Sequence, residues 1–451
     1  MKLFELTASE AIEKMVDEEI SSEELIASCL GQIETKEGDI GAWSFWDKTK
    51  ALEQAQLADT RRNIKKLSGL PLNGVAVGIK DIFDTKDMPT ENGTIIHQGR
   101  QPDHDAAVVR LLREAGAVIL GKTVTAELAV YTPGKTKNPH DLTRTPGGSS
   151  SGSAAAVAAG MIPLAVGTQT NGSVIRPASY CGVVGFKPSF GTIPRANILR
   201  QAPSLDQVGI FSRSVMDSAL LASVLMCPDE QYGDTLPMPQ IDISQAEQPF
   251  SKEPKLGFIK TPVWSEASIS TQDRCLAYVS EFGPDIAHID LPLVCEQAVS
   301  CHRTIMLCEM AHNYNNLYTE SRDKISPMLL GMIEEGKQIS ISDYLDAKNL
   351  LTEITGEIDD TLKDFDAVIT PATTAEAPAG LSSTGSPIFC TAWSLCGVPA
   401  ISLPLLSGDS GMPLGLQFVS CRGTDTRLLR VAHGVERQHC SDMNKKTKGV
   451  V

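Results

Sequence analysis

The chain of 451 residues is poor in aromatic side chains, which make up 5% of it, and it has no long apolar run. Its longest nearly apolar stretch extends from Ala154 to Gly167 and is interrupted by Pro163. A membrane-spanning helix needs about 20 apolar residues, so none is predicted. The N-terminus has a periodic acidic pattern in place of a basic start and an apolar block. This pattern argues against a signal peptide and predicts a cytoplasmic protein.

The chain also has few positive charges: it contains 40 Lys and Arg residues and 55 Asp and Glu residues, which gives a net charge of −15. Such a charge disfavours nucleic acids and anionic membranes as partners. The eleven cysteines form no C-x-x-C pair, which predicts buried thiols in a reducing compartment. Cys301 and His302 are adjacent, and adjacent ligands cannot easily face one tetrahedral ion. We therefore predict no zinc site at these residues.

The first 65 residues are predicted to be helical. Thr7 and Ser21 each stand three residues before a glutamate, the capping box that begins a helix. From residue 70 onward, short apolar strands alternate with helices, and we find no repeat and no linker. We therefore expect one domain, 1–451, whose parts are N-terminal helices at 1–65, a core with the site residues at 70–215, further sheet and pocket helices at 216–443, and a frayed tail at 444–451.

Two motif matches have weak structural support. Gly116–Thr123 has the letters of a phosphate-binding loop, but its apolar residues are predicted to be a buried strand whose amides bond within a sheet. Gly148–Gly152 matches the G-x-S-x-G nucleophile elbow with Ser150 at its centre. That elbow follows a buried strand, whereas the residues before Gly148 are polar and contain prolines. A Ser150 nucleophile with a histidine base stays open as an alternative.

Three other segments together suggest a serine hydrolase with a lysine base. Lys80 ends the apolar strand GVAVGIKD, where loss of solvation would lower its pKa toward the neutral form. TPGGSSSGS is a hydroxyl-rich, glycine-bent turn, and GTQTNGS predicts a tight turn of backbone amides that ends at Ser173. Each segment also has a structural interpretation: a lysine that reaches water, a helix cap, and an ordinary loop.

The 43-residue stretch that begins GGSSSGSAAAVAAG and ends GVVGFKPS resembles the amidase signature family of serine hydrolases. GVAVGIKDIFDT and the late ITPATT…TAWSLCGVPAISLPL block are also similar to family segments, so the resemblance covers nearly the whole chain. It implies an α/β fold, a single α/β/α domain with a mixed central β-sheet covered by helices. It also implies a Ser-cisSer-Lys triad that needs no metal or cofactor.

The resemblance assigns roles to residues by motif position. Lys80 is the base, Ser149 is the serine after the cis peptide bond, and Ser173 is the nucleophile. The backbone amides of Thr170, Asn171, Gly172 and Ser173 are expected to form the oxyanion hole.

Two departures from the family pattern concern the substrate pocket. The usual turn GTDTGGS reads GTQTNGS here, so Gln169 lacks the aspartate's charge and Asn171 adds a side chain. Arg176 stands three residues after Ser173, where the commoner pattern has its arginine after two. Arg176 predicts a bidentate clamp for a substrate carboxylate, the alternative being that it only ties the loop to a neighbouring group. Tyr131 is predicted to line the pocket, the alternative being core packing.

The resemblance predicts an amidase that cleaves a carbon–nitrogen bond in a small, carboxylate-bearing amide through an acyl-enzyme on Ser173. The alternatives are a glutamine-hydrolysing A-type subunit of a transamidating complex and a catalytically inactive scaffold of the same family. The expected partner is a small-molecule amide, without nucleic acid or membrane, and a homodimer is left open.

Overall fold

The computed structural model describes residues 2–64, 69–228, 233–283 and 286–448. Within these residues a single sheet of eleven strands forms the centre of the fold. In chain order the strands are β1 Trp43–Trp46, β2 Ala76–Lys80, β3 Val118–Thr123, β4 Leu164–Gln169, β5 Val184–Lys187, β6 Gln207–Ser212, β7 Leu256–Ile259, β8 Ala287–Ile289, β9 Ala367–Pro371, β10 Ala400–Ser407 and β11 Pro413–Val419.

The sheet is mixed, with the order β1-β3-β2-β4-β6-β5-β10-β11-β9-β7-β8. β2 runs parallel to both of its neighbours, β3 and β4. β7 is parallel to β8 and β9, and the remaining neighbours are antiparallel. Because β2 and β4 are parallel and adjacent, their carboxyl ends meet at one edge of the sheet.

Helices cover the sheet and join its strands. In chain order they are α1 Ala8–Val16, α2 Ser22–Ile40, α3 Lys48–Arg62, α4 Ala107–Glu114, α5 Ser151–Ala158, α6 Ile175–Cys181, α7 Val215–Leu225, α8 Ile243–Glu247, α9 Ile269–Ser280, α10 Ala298–Asn313, α11 Asn315–Glu320, α12 Pro327–Gln338, α13 Ile341–Leu362, α14 Ile388–Leu395 and α15 Asp425–Lys448. None of the helices within the described ranges is long and apolar enough to cross a membrane.

The two faces of the sheet bury different apolar clusters. Successive side chains of a strand point to opposite faces. Ala367 and Ile369 accordingly lie in the larger core beneath α1, α2, α7 and α15, whereas Val368 lies in a second core with α10, α12, α13 and α14. This arrangement of helix, sheet and helix confirms the predicted α/β/α domain with a mixed sheet.

Local sequence signals located most of the elements near the site. Both predicted capping boxes are present, with Thr7 bonded to Glu10 and Ser21 to Glu24. The frayed tail at 444–451 stays a prediction: α15 continues to Lys448, and residues 449–451 lie outside the described residues.

Candidate active site

Lys80 ends β2, in the middle of the parallel part of the sheet, and its side chain is fully buried. Its Nζ lies 2.8 Å from the Oγ of Ser149 and 2.8 Å from the Oγ1 of Thr168. Burial lowers the pKa of Lys80 from 10.5 to about 7, and the negative charge of Asp206 opposes part of that shift. The amine is therefore in reach of its neutral, basic form near neutral pH.

Ser149 lies in the loop between β3 and α5, and it follows a cis peptide bond from Gly148. Its side chain is buried, and its carbonyl accepts a hydrogen bond from the amide of Ala126. Gly147 has a φ of +83°, and a Cβ there would lie 2.9 Å from the Cα of Pro177. The glycines of TPGGSSSGS thus let this loop pack directly against α6.

Residues 170–174 connect β4 to α6, and the first four of them, 170–173, form a turn that we call the oxyanion turn. Gln169 stabilises its far end, because its Oε1 accepts hydrogen bonds from the amides of Val174 at 2.8 Å and Ile175 at 3.0 Å. Its Nε2 donates to the Oγ of Ser394 at 3.0 Å. A neutral amide thus caps the first turn of α6, where the usual family residue is an aspartate.

Within the described residues, the amides of Asn171, Gly172 and Ser173 donate no hydrogen bond to another backbone or side-chain group. Successive unpaired N–H groups in a tight turn are the arrangement that binds an oxyanion. Thr170 begins the turn, and its Oγ1 donates to the Asp206 carboxylate at 2.6 Å. Burial raises the pKa of Asp206, whereas its hydrogen bond from Thr170 acts in the opposite direction.

Ser173 ends the oxyanion turn and is 8% exposed, against 1% for Ser149 and 0% for Lys80. Among the hydrogen bonds of the described residues, none joins the Ser173 hydroxyl to Ser149 or Lys80. The two segments are nevertheless neighbours, since Nη2 of Arg176 donates to the Gly148 carbonyl at 2.7 Å. Catalytic hydrogen bonds are often long in free enzymes and shorten when substrate is bound.

Arg176 is fully buried on α6. Its two terminal nitrogens donate to the carbonyls of Gly148 and Gly385, whereas its Nε has no hydrogen-bond partner among the described residues. Burial lowers the pKa of this guanidinium, and its carbon lies 5.9 Å from the ring centroid of Tyr131. Two of the five N–H groups of Arg176 therefore tie the loop to Gly385 and Gly148, and its Nε–H is a buried donor without an acceptor among the described residues.

Tyr131, whose ring lies beside this guanidinium, is hydrogen-bonded to Asn171. The Nδ2 of Asn171 donates to the Tyr131 hydroxyl at 3.2 Å, and its Oδ1 accepts from the Oγ1 of Thr391 at 2.8 Å. The side chain that replaces the usual glycine thus links the oxyanion turn to the 131 loop and to α14.

A cavity of about 220 Å³ lies against the carboxyl end of β4. Its lining includes Thr168 and Thr170, the two threonines that flank Gln169. Other lining residues are Ala129, Leu199, Gln201 and Asp206. Its lining includes none of Lys80, Ser149, Ser173 and Arg176, so the cavity adjoins the oxyanion turn at Thr170.

The two weaker motif matches lie in other structural contexts. Residues 118–123 are β3, and within that segment Lys122 pairs with Asp81 at 3.1 Å, so this lysine is a buried partner of a carboxylate. Ser150 is fully buried, and its Oγ bonds to the backbone of Thr168. Among the described residues, no group of three or more His, Cys, Asp or Glu side chains is arranged to hold a metal ion.

Sequence reasoning missed four residues of the site: Thr168, Asp206, His302 and Ser394. Thr168 could have been predicted from strand pairing, because β2 and β4 are parallel neighbours and Lys80 lies beside the end of β4. His302 and Ser394 lie 132 and 223 residues from their partners in the oxyanion turn. No local pattern marks contacts of that separation.

Comparison with known proteins shows which family the chain belongs to. The model of the amidase family matches residues 24–429. The chain therefore belongs to the amidase family, the serine amidohydrolases that carry the amidase signature. It is an enzyme that hydrolyses amide C–N bonds, as the resemblance predicted.

Particular relatives fall into two groups. The A-type subunit of glutamyl-tRNA(Gln) amidotransferase from Geobacter sp. (strain M21) is 33% identical over 97% of this chain and 98% of the relative. The solved peptide amidase from Stenotrophomonas maltophilia has 26% identity and a TM-score of 0.82, over 96% of this chain and 97% of that one. A 6-aminohexanoate cyclic dimer hydrolase complexed with substrate has 25% identity and a TM-score of 0.83, over 97% of both chains.

Proposed function

We propose that the chain hydrolyses a small amide with Ser173 as nucleophile, Ser149 as proton relay and Lys80 as general base. The observation that carries this proposal is the 2.8 Å contact between Lys80 and Ser149, made by a buried lysine with a pKa of about 7. A lysine with that pKa can accept a proton at neutral pH, whereas an ordinary lysine is almost fully protonated.

In the proposed reaction, neutral Lys80 takes the proton of the Ser149 hydroxyl while Ser149 takes the proton of Ser173. The Oγ of Ser173 attacks the amide carbonyl carbon, and the carbonyl electrons move to oxygen. The proton returns through Ser149 to the leaving nitrogen, the C–N bond breaks, and ammonia or an amine departs. Water then enters by the same relay and hydrolyses the acyl-enzyme, which restores Ser173.

The unpaired amides of the oxyanion turn support this assignment. Negative charge develops on the carbonyl oxygen during the attack, and the N–H groups of Asn171, Gly172 and Ser173 have no other acceptor among the described residues. Loss of one such donor typically costs roughly 10²–10³ in rate. Thr170 belongs to the same proposed set through its place at the start of the turn.

Arg176 and Tyr131 are proposed as substrate-binding residues, and the buried Nε of Arg176 supports a substrate that carries a carboxylate. The Nε atoms of Arg213 and Arg422 are likewise buried without a hydrogen-bond partner among the described residues, and for Arg176 a bound carboxylate would supply the missing acceptor. Glutamine and other short amide acids share this chemistry.

Two physiological settings fit such a reaction. The curated relatives, 30–33% identical over nearly the full length, favour the glutamine-hydrolysing A-type subunit of a transamidating complex. The solved amidases and the GTQTNGS turn favour a stand-alone amidase. Retention of Lys80, Ser149 and Ser173 speaks against an inactive scaffold. The eleven free cysteines support the cytoplasm as the compartment.

The first experiment is labelling of the purified chain with a fluorophosphonate, followed by mass spectrometry to locate the adduct. We expect the adduct on Ser173, and we expect it to disappear in Lys80→Ala. An adduct on Ser150, or no adduct, would overturn the proposal.

A second experiment separates the two physiological settings. Ammonia release from glutamine that requires the other subunits of a transamidating complex would establish the complex. Turnover of small amides by the chain alone, at the same rate with and without those partners, would establish the stand-alone amidase.

A further inference from the structure

Each backbone carbonyl of residues 170–172 in the oxyanion turn accepts a hydrogen bond from a different element. The Thr170 carbonyl lies 3.0 Å from Nε2 of His302 on α10. The Asn171 carbonyl accepts from the Oγ of Ser394 on α14 at 2.5 Å. The Gly172 carbonyl accepts from the amide of Arg176 at 3.0 Å, as the first turn of α6 requires.

The direction of a carbonyl determines the direction of the next amide. In a trans peptide unit the C=O and N–H bonds lie in one plane and point in opposite directions. A donor that holds the Thr170 carbonyl therefore also fixes the direction of the Asn171 N–H. In the same way, the contact with Ser394 fixes the N–H of Gly172.

His302 is suited to this task because it is buried and neutral. A carbonyl oxygen can only accept, so Nε2 must carry the proton in this contact. Burial lowers the pKa of His302 to about 4, which keeps the imidazole neutral across the neutral pH range. Ser394 is also buried, and its hydroxyl accepts from Gln169 while it donates to the turn.

We propose that His302 and Ser394 are positioning residues that aim the amides of Asn171 and Gly172 at the developing oxyanion. Neither residue touches the reacting atoms. Each acts by holding a carbonyl on the far side of the turn, from a helix that packs in the second core. The inference rests on the proposed function, because it assumes that Ser173 attacks the substrate and that these amides face the carbonyl oxygen.

The expected effect falls on the transition state. An amide whose N–H no longer points at the oxyanion cannot donate a hydrogen bond to it. The full loss of one such donor costs roughly 10²–10³ in rate. We expect His302→Met to slow fluorophosphonate labelling of Ser173 by at least about tenfold, because the phosphoryl oxygen occupies the oxyanion position. For amide hydrolysis the loss should appear in kcat, with KM nearly unchanged.

Two matched variants distinguish a change in the orientation of the turn's amides from a loss of folding stability. His302→Gln keeps an N–H donor near the position of Nε2, and we expect its labelling rate to stay within about threefold of wild type. Asn73→Ala removes a buried side-chain N–H that donates to the carbonyl of Ala58 at 3.0 Å, a contact of the same kind. Asn73 lies in the turn before β2, and Lys80 lies at the other end of that strand, about 13 Å from Ala76, so loss of the Asn73 side chain should lower stability and leave the labelling rate unchanged.

The outcomes are distinguishable. A His302→Met chain that folds and is labelled as fast as wild type overturns the inference, and so does a loss confined to KM. If His302→Met fails to fold, Ser394→Ala carries the same prediction, and an unchanged rate there overturns the inference. A wild-type chain without label on Ser173 overturns the proposed function, and the inference falls with it.

Discussion

The pH dependence of Ser173 reactivity gives the sharpest test of the lysine mechanism. Desolvation of the fully buried Lys80 side chain lowers its pKa from 10.5 to about 7. A lysine with a pKa of 10.5 would be neutral in only about 3 of 10,000 molecules at pH 7, whereas Lys80 would be neutral in about half. Reactivity should therefore increase about tenfold per pH unit below pH 6 and level off above pH 8.

The assay measures the second-order rate of fluorophosphonate labelling of Ser173 between about pH 5.5 and 9 at constant ionic strength. This probe has no group that titrates in that range, so the profile reports the enzyme. Lys80→Arg should be inactive throughout, because a guanidinium keeps its proton. Asp206→Asn should move the midpoint to lower pH, since the Asp206 carboxylate raises the pKa of Lys80.

Three results would refute the reasoning. A rate that does not change across the whole pH range would mean that no group with a pKa near 7 activates Ser173. A midpoint near about pH 10 would mean that Lys80 keeps its ordinary pKa, and that burial does not tune it. A midpoint that Asp206→Asn moves upward would contradict the sign of the electrostatic argument.

Three further predictions follow from single residues. Arg176→Met should lower kcat/KM for succinamate roughly 10- to 100-fold more than for butyramide if Nε binds a carboxylate, and equal losses would leave Arg176 as a loop tie. Gln169→Ala should lower the free energy of unfolding by about 1–3 kcal/mol, because the amides of Val174 and Ile175 lose their acceptor. Gln169→Glu keeps an acceptor and should be affected less, and urea unfolding of both variants tests this. Lys187 is buried with a pKa of about 7, lowered from 10.5. The unfolded chain therefore binds more protons between pH 7 and 10.5, and stability rises with pH. Lys187→Met should reduce that rise between about pH 7 and 8.5 by up to about 1.4 kcal/mol per pH unit, and an unchanged slope would contradict the burial of a neutral lysine.

The sequence predicted the elements near the site well, because their signals are local. The strand before Lys80, the helix after the paired glycines and the strand before GTQTNGS were each visible as short apolar runs bounded by glycine or polar residues. The strands β1, β5, β6, β8 and β11 were missed, and β1 lies within residues 1–65, which were predicted to be helical. β5 and β6 pair with each other and with the distant strands β10 and β4. β11 forms a hairpin with β10, and the turn residues Gly408–Gly411 between the two strands are a local signal that was overlooked.

The boundary of β4 shows how sheet pairing overrides local signals. The sequence predicted a loop over 167–173, in which Asn171 and Gly172 permit a tight turn. In the structure, β4 continues to Gln169, since residues 167–169 pair with 207–209 of β6. The oxyanion turn is therefore only four residues long, and its first residue lies directly after the sheet.

What the sequence determined by itself was the chemistry: a lysine at a strand end, a glycine-bent serine loop and a turn that ends in serine. These features depend on neighbours within a few residues, where backbone geometry and burial pattern follow from residue type. The tertiary structure alone decided that Gln169 caps α6, that Arg176 keeps one free donor, and that His302 and Ser394 hold the turn. The contacts of His302 and Ser394 join residues more than a hundred positions apart, and packing of whole helices against the sheet sets their distances.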